Sequence, residues 1–318
     1  MDTVLWGLTI FIAIGLGVWL VSFAVEALRP VPKPPTKLRW APNIPIDTAT
    51  VNGINLRYIK TGKGPALVLL HTLRTQLDLF EKVVPELAKH FTVYTLDYPG
   101  HGYSDIPKAR YDAAYFVDAV EGFLDRLDLR DVTLAGVSIG GSIALIIVAR
   151  HNPRVACVIA INPYDYAKGR GMARSSLFGW MLNYASLAPL VGEIFMRLRN
   201  SFIVNRVFRG GVADAKSIPP ELLKEMYAVG NRRGHYRGFL SLLRNGESWE
   251  TATKDYGRIE VPVLLIWGDQ DWTSPAERAH DASLVPNVQV TTIEHGGHFL
   301  PLDRPQAVSD AIARFAAA

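Results

Sequence analysis

A serine flanked by glycines, Gly136-Val137-Ser138-Ile139-Gly140, follows one apolar run and opens another. The pattern predicts a strand, a tight turn and a helix starting directly after the serine. Such a turn lifts the hydroxyl clear of the sheet edge, and the glycines keep side chains out of the crowded bend. The Ile139 N–H, at the helix start, faces the place where negative charge would develop on a substrate oxygen. This is the chemistry of nucleophilic attack on a carbonyl. The five residues alone are a modest signal, and the strand–turn–helix context strengthens it.

A serine nucleophile needs a base. The chain has eight histidines, His71, His90, His101, His151, His235, His280, His295 and His298. His90 and His151 fall at predicted helix ends, a common structural position. His101 sits in a tight turn and His235 in a stretch without strands. His298 follows the last predicted strand, and loops at the carboxyl ends of parallel strands are where α/β proteins build sites. The base needs an orienting acid, and Asp271 follows the preceding predicted strand in Gly268-Asp269-Gln270-Asp271. Asp269 is an alternative, although its place directly after a glycine suits turn chemistry. Asp165 is a second alternative. The order Ser138, Asp271, His298 is that of one known arrangement of nucleophile, acid and base. His295 and His298 do not make a metal site, because no third ligand accompanies them. Nothing in the sequence calls for a metal or an organic cofactor.

The elements that must carry these residues alternate. Strands are predicted at Leu56–Lys60, Ala66–His71, Phe91–Leu96, Val132–Val137, Val155–Ile161, Val261–Trp267 and Val288–Ile293. Helices are predicted at Asp78–His90, Tyr111–Leu127, Ile139–His151, Ala276–Ser283 and Pro305–Phe315. Val51-Asn52-Gly53-Ile54 carries a hairpin signal. Alternation of this kind implies βαβ units and a mostly parallel sheet. It stops near Asn162, and residues 164–258 read as helix and loop. The single cysteine, Cys157, excludes an intrachain disulfide and reads as a buried core residue.

The N-terminus is of another kind. No charged residue occurs from Thr3 to Val25. As a helix, Val4–Val25 spans roughly 33 Å against a hydrocarbon core of ~30 Å. It is read as one transmembrane helix. A cleaved signal peptide is the alternative, but there is no positive segment before the apolar run and no clean Ala-x-Ala site after it. Arg29, Lys33, Lys37 and Arg39 follow the helix, which puts the rest of the chain on the cytoplasmic side. Six prolines between Pro30 and Pro45 make the next stretch an extended linker. The formal net charge of +4 does not point to nucleic acid.

From about residue 50 to the end, the chain resembles the α/β-hydrolase superfamily. The resemblance rests on five segments in order. His71 opens what looks like the oxyanion loop, and Asp97-Tyr98-Pro99-Gly100-His101-Gly102-Tyr103-Ser104-Asp105 looks like the D-x-P-G-x-G-x-S turn. Gly136–Gly140 matches the nucleophile elbow, Gly268–Asp271 the acid segment, and Gly297-His298 with Asp303 and Pro305 the histidine loop. With the N-terminal transmembrane helix read from the apolar run, the expected division is residues 1–28 as anchor, 29–45 as Pro-rich linker, 46–163 and 258–318 as hydrolase core, and 164–257 as cap. The resemblance implies an α/β-hydrolase fold with a mostly parallel central sheet flanked by helices, and a helical cap insertion. It places catalysis on Ser138, Asp271 and His298. Some relatives place the acid where Asp165 stands. The sequence departs from the family's usual His-Gly in His71-Thr72-Leu73-Arg74. The second oxyanion donor then falls on the backbone N–H of Leu73, beside that of Ile139, with Thr72 as the other choice.

The cap stretch is rich in apolar and aromatic side chains, and from Asp165 to Gly257 it holds 14 Lys and Arg against 8 Asp and Glu. Arg74, Trp180 and Tyr184 are candidate substrate contacts. The expected function is a membrane-anchored serine hydrolase of an apolar, lipid-like carboxylic ester, working through an acyl-enzyme. The resemblance also admits thioesterase, amidase, C–C hydrolase, perhydrolase and acyltransferase chemistry. A serine nucleophile argues against haloalkane dehalogenase and epoxide hydrolase activity, for which the family uses aspartate. A non-catalytic, membrane-tethered binding protein on the same fold is the reading of another class. The expected partners are a small-molecule or lipid-like substrate and, through the N-terminal helix, a membrane.

Overall fold

The structure is a computed structural model that describes residues 2–317. Its centre is one eight-stranded sheet with strand order β1-β2-β4-β3-β5-β6-β7-β8. The strands are β1 (Ile46–Val51), β2 (Ile54–Gly62), β3 (Ala66–Leu70), β4 (Thr92–Leu96), β5 (Val132–Val137), β6 (Val155–Ile161), β7 (Val263–Gly268) and β8 (Gln289–Ile293). β1 and β2 form a hairpin through Asn52-Gly53, both at positive φ as a tight two-residue turn requires. β2 also runs antiparallel to β4, and every later pairing is parallel.

The inner parallel strands β3, β5 and β7 are buried almost throughout because both faces are covered, whereas β8 at the sheet edge is largely exposed. Along β3, Leu67 and Leu69 enter one apolar layer while Val68 and Leu70 enter the other, as the two-residue strand period demands. Helices α2 (Val84–Leu87), α3 (Ala113–Arg126) and α4 (Ile139–Ala149) follow in chain order. Asp112 caps α3 by accepting the Tyr115 N–H at 3.0 Å. The buried residues of α3, from Ala113 through Phe116, Val117, Val120, Phe123 and Leu124, recur three and four apart on one face. Every residue of α4 is buried.

Between β6 and β7 the described chain carries α5 (Leu177–Leu187), α6 (Val191–Arg197), α7 (Ser201–Arg209), α8 (Pro220–Gly230), α9 (His235–Arg244) and α10 (Glu247–Ala252), with no strand. After β7 come α11 (Pro275–Leu284), α12 (Leu300–Asp303) and α13 (Pro305–Ala316). The predicted helix over residues 78–90 is broken. A short 3-10 turn covers Leu77–Phe80, and α2 starts afresh beside Pro85. Proline lacks an N–H and fits only the first turn of a helix. Cys157 is half-buried, not a core residue, since β6 is exposed near its start and closes over only from Val158.

The N-terminal helix α1 (Asp2–Ala27) presents apolar side chains to its surroundings along most of its length, and Thr3–Ala27 is long and apolar enough to cross a membrane. Its end is clasped by the helical stretch. The Glu26 carboxylate accepts from Arg199 at 2.9 Å and from the Gly234 N–H at 2.7 Å. Arg29 donates to Glu26, to the Asn231 side chain and to the carbonyls of Arg197 and Arg199. The Pro-rich stretch that follows holds no helix or strand, yet it is tied down at its far end. Leu38 is buried against Ile59 and Leu77, and the Trp40 indole donates to Asp78 at 2.7 Å.

Candidate active site

β5 runs into α4 with no intervening loop, so Ser138 must make the whole turn. It sits at φ 57° and ψ −119°. For a residue with a side chain, this backbone costs about 1–3 kcal/mol. The turn closes because its neighbours are glycines. A Cβ at Gly136 would collide with the Gly140 backbone, and one at Gly140 with the carbonyl of Leu70. The Ser138 N–H is spent on the Ile161 carbonyl at 2.8 Å. Its hydroxyl is buried and has no hydrogen-bond partner among the described residues. The Ile139 N–H is the first of α4 and has no acceptor within its own helix.

The loops after β7 and β8 bring the acid and the base together. His298 Nδ1 lies 2.6 Å from Asp271 Oδ1. The other Asp271 oxygen accepts from the Thr273 N–H at 2.9 Å and from the Thr273 hydroxyl. Burial alone would raise the Asp271 carboxyl. The charge and hydrogen bond of His298, with those of Thr273, outweigh it and hold Asp271 below the usual carboxylate range. An ionised Asp271 fixes the proton on Nδ1 and leaves Nε2 free to accept one. Trp272 stacks on the His298 ring at 4.0 Å and 14° between planes.

Three polar side chains set these loops. The Asn162 amide donates to the carbonyls of Gly297 and His298, both at 3.1 Å, and its oxygen accepts the Gly268 N–H at 2.9 Å. The Asp269 carboxylate accepts the Gly296 N–H at 3.0 Å, so Asp269 joins the two loops and does not orient the base. Asp303 accepts from the N–H groups of Gly297 and Ala213 and from the Ser217 hydroxyl. Asp165 is no rival to Asp271. It is buried beneath the Tyr256 hydroxyl, which donates to it at 2.6 Å, and it makes no bond to His298.

The loop after β3 is built around one carbonyl. Thr72 O accepts from His71 Nδ1 at 2.8 Å, from the Thr75 hydroxyl at 2.8 Å and from the Thr75 N–H at 3.2 Å. A trans peptide is planar, so the Leu73 N–H points away from those three donors. His71 Nε2 accepts the Tyr98 N–H at 3.3 Å. Burial lowers His71 to about 4, so it is neutral near pH 7. The unusual backbone falls on Arg74, at φ 58°, and not on Thr72. His101 is also buried, and burial with His71 nearby lowers it to about 3. It bonds its own turn through the Pro99 carbonyl. Asp105 accepts the Asn55 N–H and ties that turn to β2.

Ser138, His298, Leu73 and Arg74 line one narrow pocket. Its remaining wall is mainly apolar, from Met172, Leu182, Phe195, Ile203, Val204 and Phe208. Trp180 and Tyr184 do not line it. They are 52% and 42% exposed on the outer face of α5, while Leu182 from the same helix points inward. Residues two apart on a helix lie about 200° apart around its axis. The sequence reading also missed Trp272 and Asn162. Their positions beside Asp271 and at the end of β6 were the available signals.

Residues 65–305 match the family model for the alpha/beta hydrolase fold. An uncharacterised protein of Mycobacterium tuberculosis is 28% identical over 280 residues, covering 84% of this chain and 79% of its own. Carboxylesterase YbfK of Bacillus subtilis is 24% identical over 255 residues, covering 79% of this chain and 80% of its own. The solved structure of Cfl2 from Burkholderia cenocepacia superimposes with a TM-score of 0.77 at 22% identity, over 89% of this chain and 99% of that one. The enol-lactonase of Burkholderia xenovorans LB400 gives 0.67 at 24% identity, over 86% and 100%. With the family model spanning both the elbow and the histidine loop, this chain belongs to the α/β-hydrolase family.

Proposed function

We propose that this hydrolase-family protein is a membrane-anchored serine hydrolase cleaving an apolar carboxylic ester. One observation carries the reading. An unpartnered serine hydroxyl, on a strained turn, shares an apolar pocket with a histidine already oriented by a buried carboxylate. In this reading His298 Nε2 takes the Ser138 proton as Oγ attacks the ester carbonyl. Asp271 holds the ring and stabilises the imidazolium. The N–H groups of Leu73 and Ile139 receive the oxyanion, and His298 then protonates the departing alcohol. Water, deprotonated in turn by His298, hydrolyses the acyl-enzyme and restores Ser138. The Ser138 hydroxyl makes no hydrogen bond to His298 here, and catalytic hydrogen bonds of this kind tighten when substrate arrives.

The apolar wall supports an acyl chain as the bound group. The esterase and enol-lactonase named among the similar proteins act in keeping with this chemistry. Similar proteins named as epoxide hydrolase or haloalkane dehalogenase share the fold without deciding the nucleophile. Helix α1 would span the bilayer with the catalytic domain on the cytoplasmic side. Exposed Leu177, Trp180, Met181, Leu190 and Phe202 on α5–α7 belong to the same stretch that grips α1, which suits contact with a lipid surface.

A fluorophosphonate probe tests the assignment. The full chain in non-ionic detergent should be labelled at Ser138 and should hydrolyse p-nitrophenyl esters. Ser138→Ala should abolish both. Labelling that survives the substitution, or an intact wild type with neither activity, would overturn the reading.

A further inference from the structure

The pocket lining also holds two arginines, Arg74 and Arg199. They are 8% and 4% exposed. Arg199 is well satisfied, by Glu26 and by the carbonyls of Met196, Gly230 and Arg232. Arg74 is not. Its single hydrogen bond among the described residues is a long one, 3.5 Å to the Gly230 carbonyl, and its Nε is buried without a partner. It lies over the Phe239 ring at 5.1 Å, which cannot replace a carboxylate.

The local charge does not balance. Arg74 lies near Arg199 and Arg29, and those two share a single carboxylate, Glu26. No acid among the described residues pairs with Arg74. Burial, then Arg199 and Arg29, pull its guanidinium down to about 9. The neighbouring His235 cannot be a counterion in either protonation state, and burial with the nearby arginines lowers it, so it adds no further positive charge. A buried cation without a partner is costly unless a ligand supplies the charge. Fork-shaped guanidinium donors match the paired oxygens of carboxylate and phosphate.

We propose that Arg74 is the donor of an anion subsite in the substrate pocket, with the already bonded Arg199 beside it adding only its charge, and that the preferred substrate is an amphiphilic ester carrying its own carboxylate or phosphate group. This inference deepens the serine-hydrolase reading and rests on it. Glu26 and Arg29 of the anchor segment hold Arg199 in place, so the subsite is completed only when the anchor is docked.

The test has a binding arm and a turnover arm, both on the full chain in non-ionic detergent. In the first, thermal unfolding of Ser138→Ala protein is followed with octanoate, 1-octanol or inorganic phosphate. Octanoate should raise the midpoint well above the effect of 1-octanol, and adding Arg74→Gln should erase that difference while Arg74→Lys keeps part of it. Equal shifts from octanoate and octanol, or a difference untouched by Arg74→Gln, would overturn the proposal. A shift with phosphate that octanoate fails to match would overturn it too, because the site would then take free anions and not substrate. In the second arm, mono-p-nitrophenyl suberate is compared with p-nitrophenyl octanoate, and 4-carboxyphenyl octanoate with phenyl octanoate. At least one charged ester should have a kcat/KM about tenfold above its neutral partner, and Arg74→Gln should bring that ratio towards one. Ratios at or below one in both pairs would overturn the subsite and leave the esterase reading standing. Absent fluorophosphonate labelling would sink the esterase reading, and the binding arm would still decide the subsite.

Discussion

Two buried charged groups serve one pocket, Asp271 from behind His298 and Arg74 from the lining itself, and they are solved differently. On the sheet side, Asp271 has a partner for each oxygen, in His298 and Thr273. On the helical side, Arg74 has a buried Nε with no partner. The first arrangement is complete before anything binds, which is what a catalytic base needs to start in the correct tautomer. The second is incomplete, which is what a recognition site looks like before its ligand. The pairing also has a geometric origin. Asp271 and His298 sit in loops that adjacent parallel strands, β7 and β8, bring side by side. Arg74 stands on a loop that reaches up into helices from another part of the chain.

The largest break of the sheet side is loss of the acid–base pair. Asp271→Asn should lower kcat by about four orders of magnitude with KM little changed, since an amide oxygen cannot stabilise the imidazolium and the tautomer is lost. Stopped-time ester assays read this directly. Next comes His71, a positioning residue beneath the Leu73 amide. His71→Leu frees the Thr72 carbonyl to turn, and kcat should fall about 10²–10³-fold, the worth of one oxyanion donor, while fluorophosphonate labelling persists more slowly. An unchanged kcat would show that the Leu73 N–H is not held by this loop.

On the helical side, Arg74→Met should make the unliganded protein more stable by ~1–3 kcal/mol in urea unfolding, because it removes an unpaired buried cation. A loss of stability would mean that the guanidinium already has a counterion. A last prediction concerns a third buried ionisable group. Asp281 and Asp165 lie close together near Tyr256, Glu277 and His280; burial raises both carboxyls, and repulsion from Asp165 and Glu277 raises Asp281 further. A group whose folded pKa is raised costs nothing below its unfolded value and destabilises the fold as pH climbs towards the folded one. Asp281→Asn should therefore leave stability at pH 4 unchanged and raise it at pH 8. The difference should grow by at most about 1.4 kcal/mol per pH unit.

Much of the sheet side was legible as short strings. A strand that must turn into a helix in one residue needs glycines on both sides of it, so the elbow writes itself into five consecutive positions. The hairpin at Asn52-Gly53 is local in the same way. Strand and helix limits were less exact. Pro85 divides a predicted helix because its missing N–H restarts the count, and composition alone had averaged across it. Trp180 and Tyr184 were drawn to the pocket by residue type, yet the rotation of α5 sends them outward and Leu182 in.

The sequence by itself determined the family, the candidate trio of Ser138, Asp271 and His298 in that order, and an N-terminal helix long enough to cross a membrane. Each depends on residues close together in the chain, where backbone sterics and hydrophobic periodicity act directly. Tertiary structure alone decided that Asp271 and not Asp165 meets His298, that Asn162 bridges their loops, and that Glu26 of α1 grips Arg199 from 173 positions away. It also left Arg74 buried and unpaired. Charge balance in a folded interior depends on which side chains share a cavity, and a linear count of Lys, Arg, Asp and Glu carries no record of that.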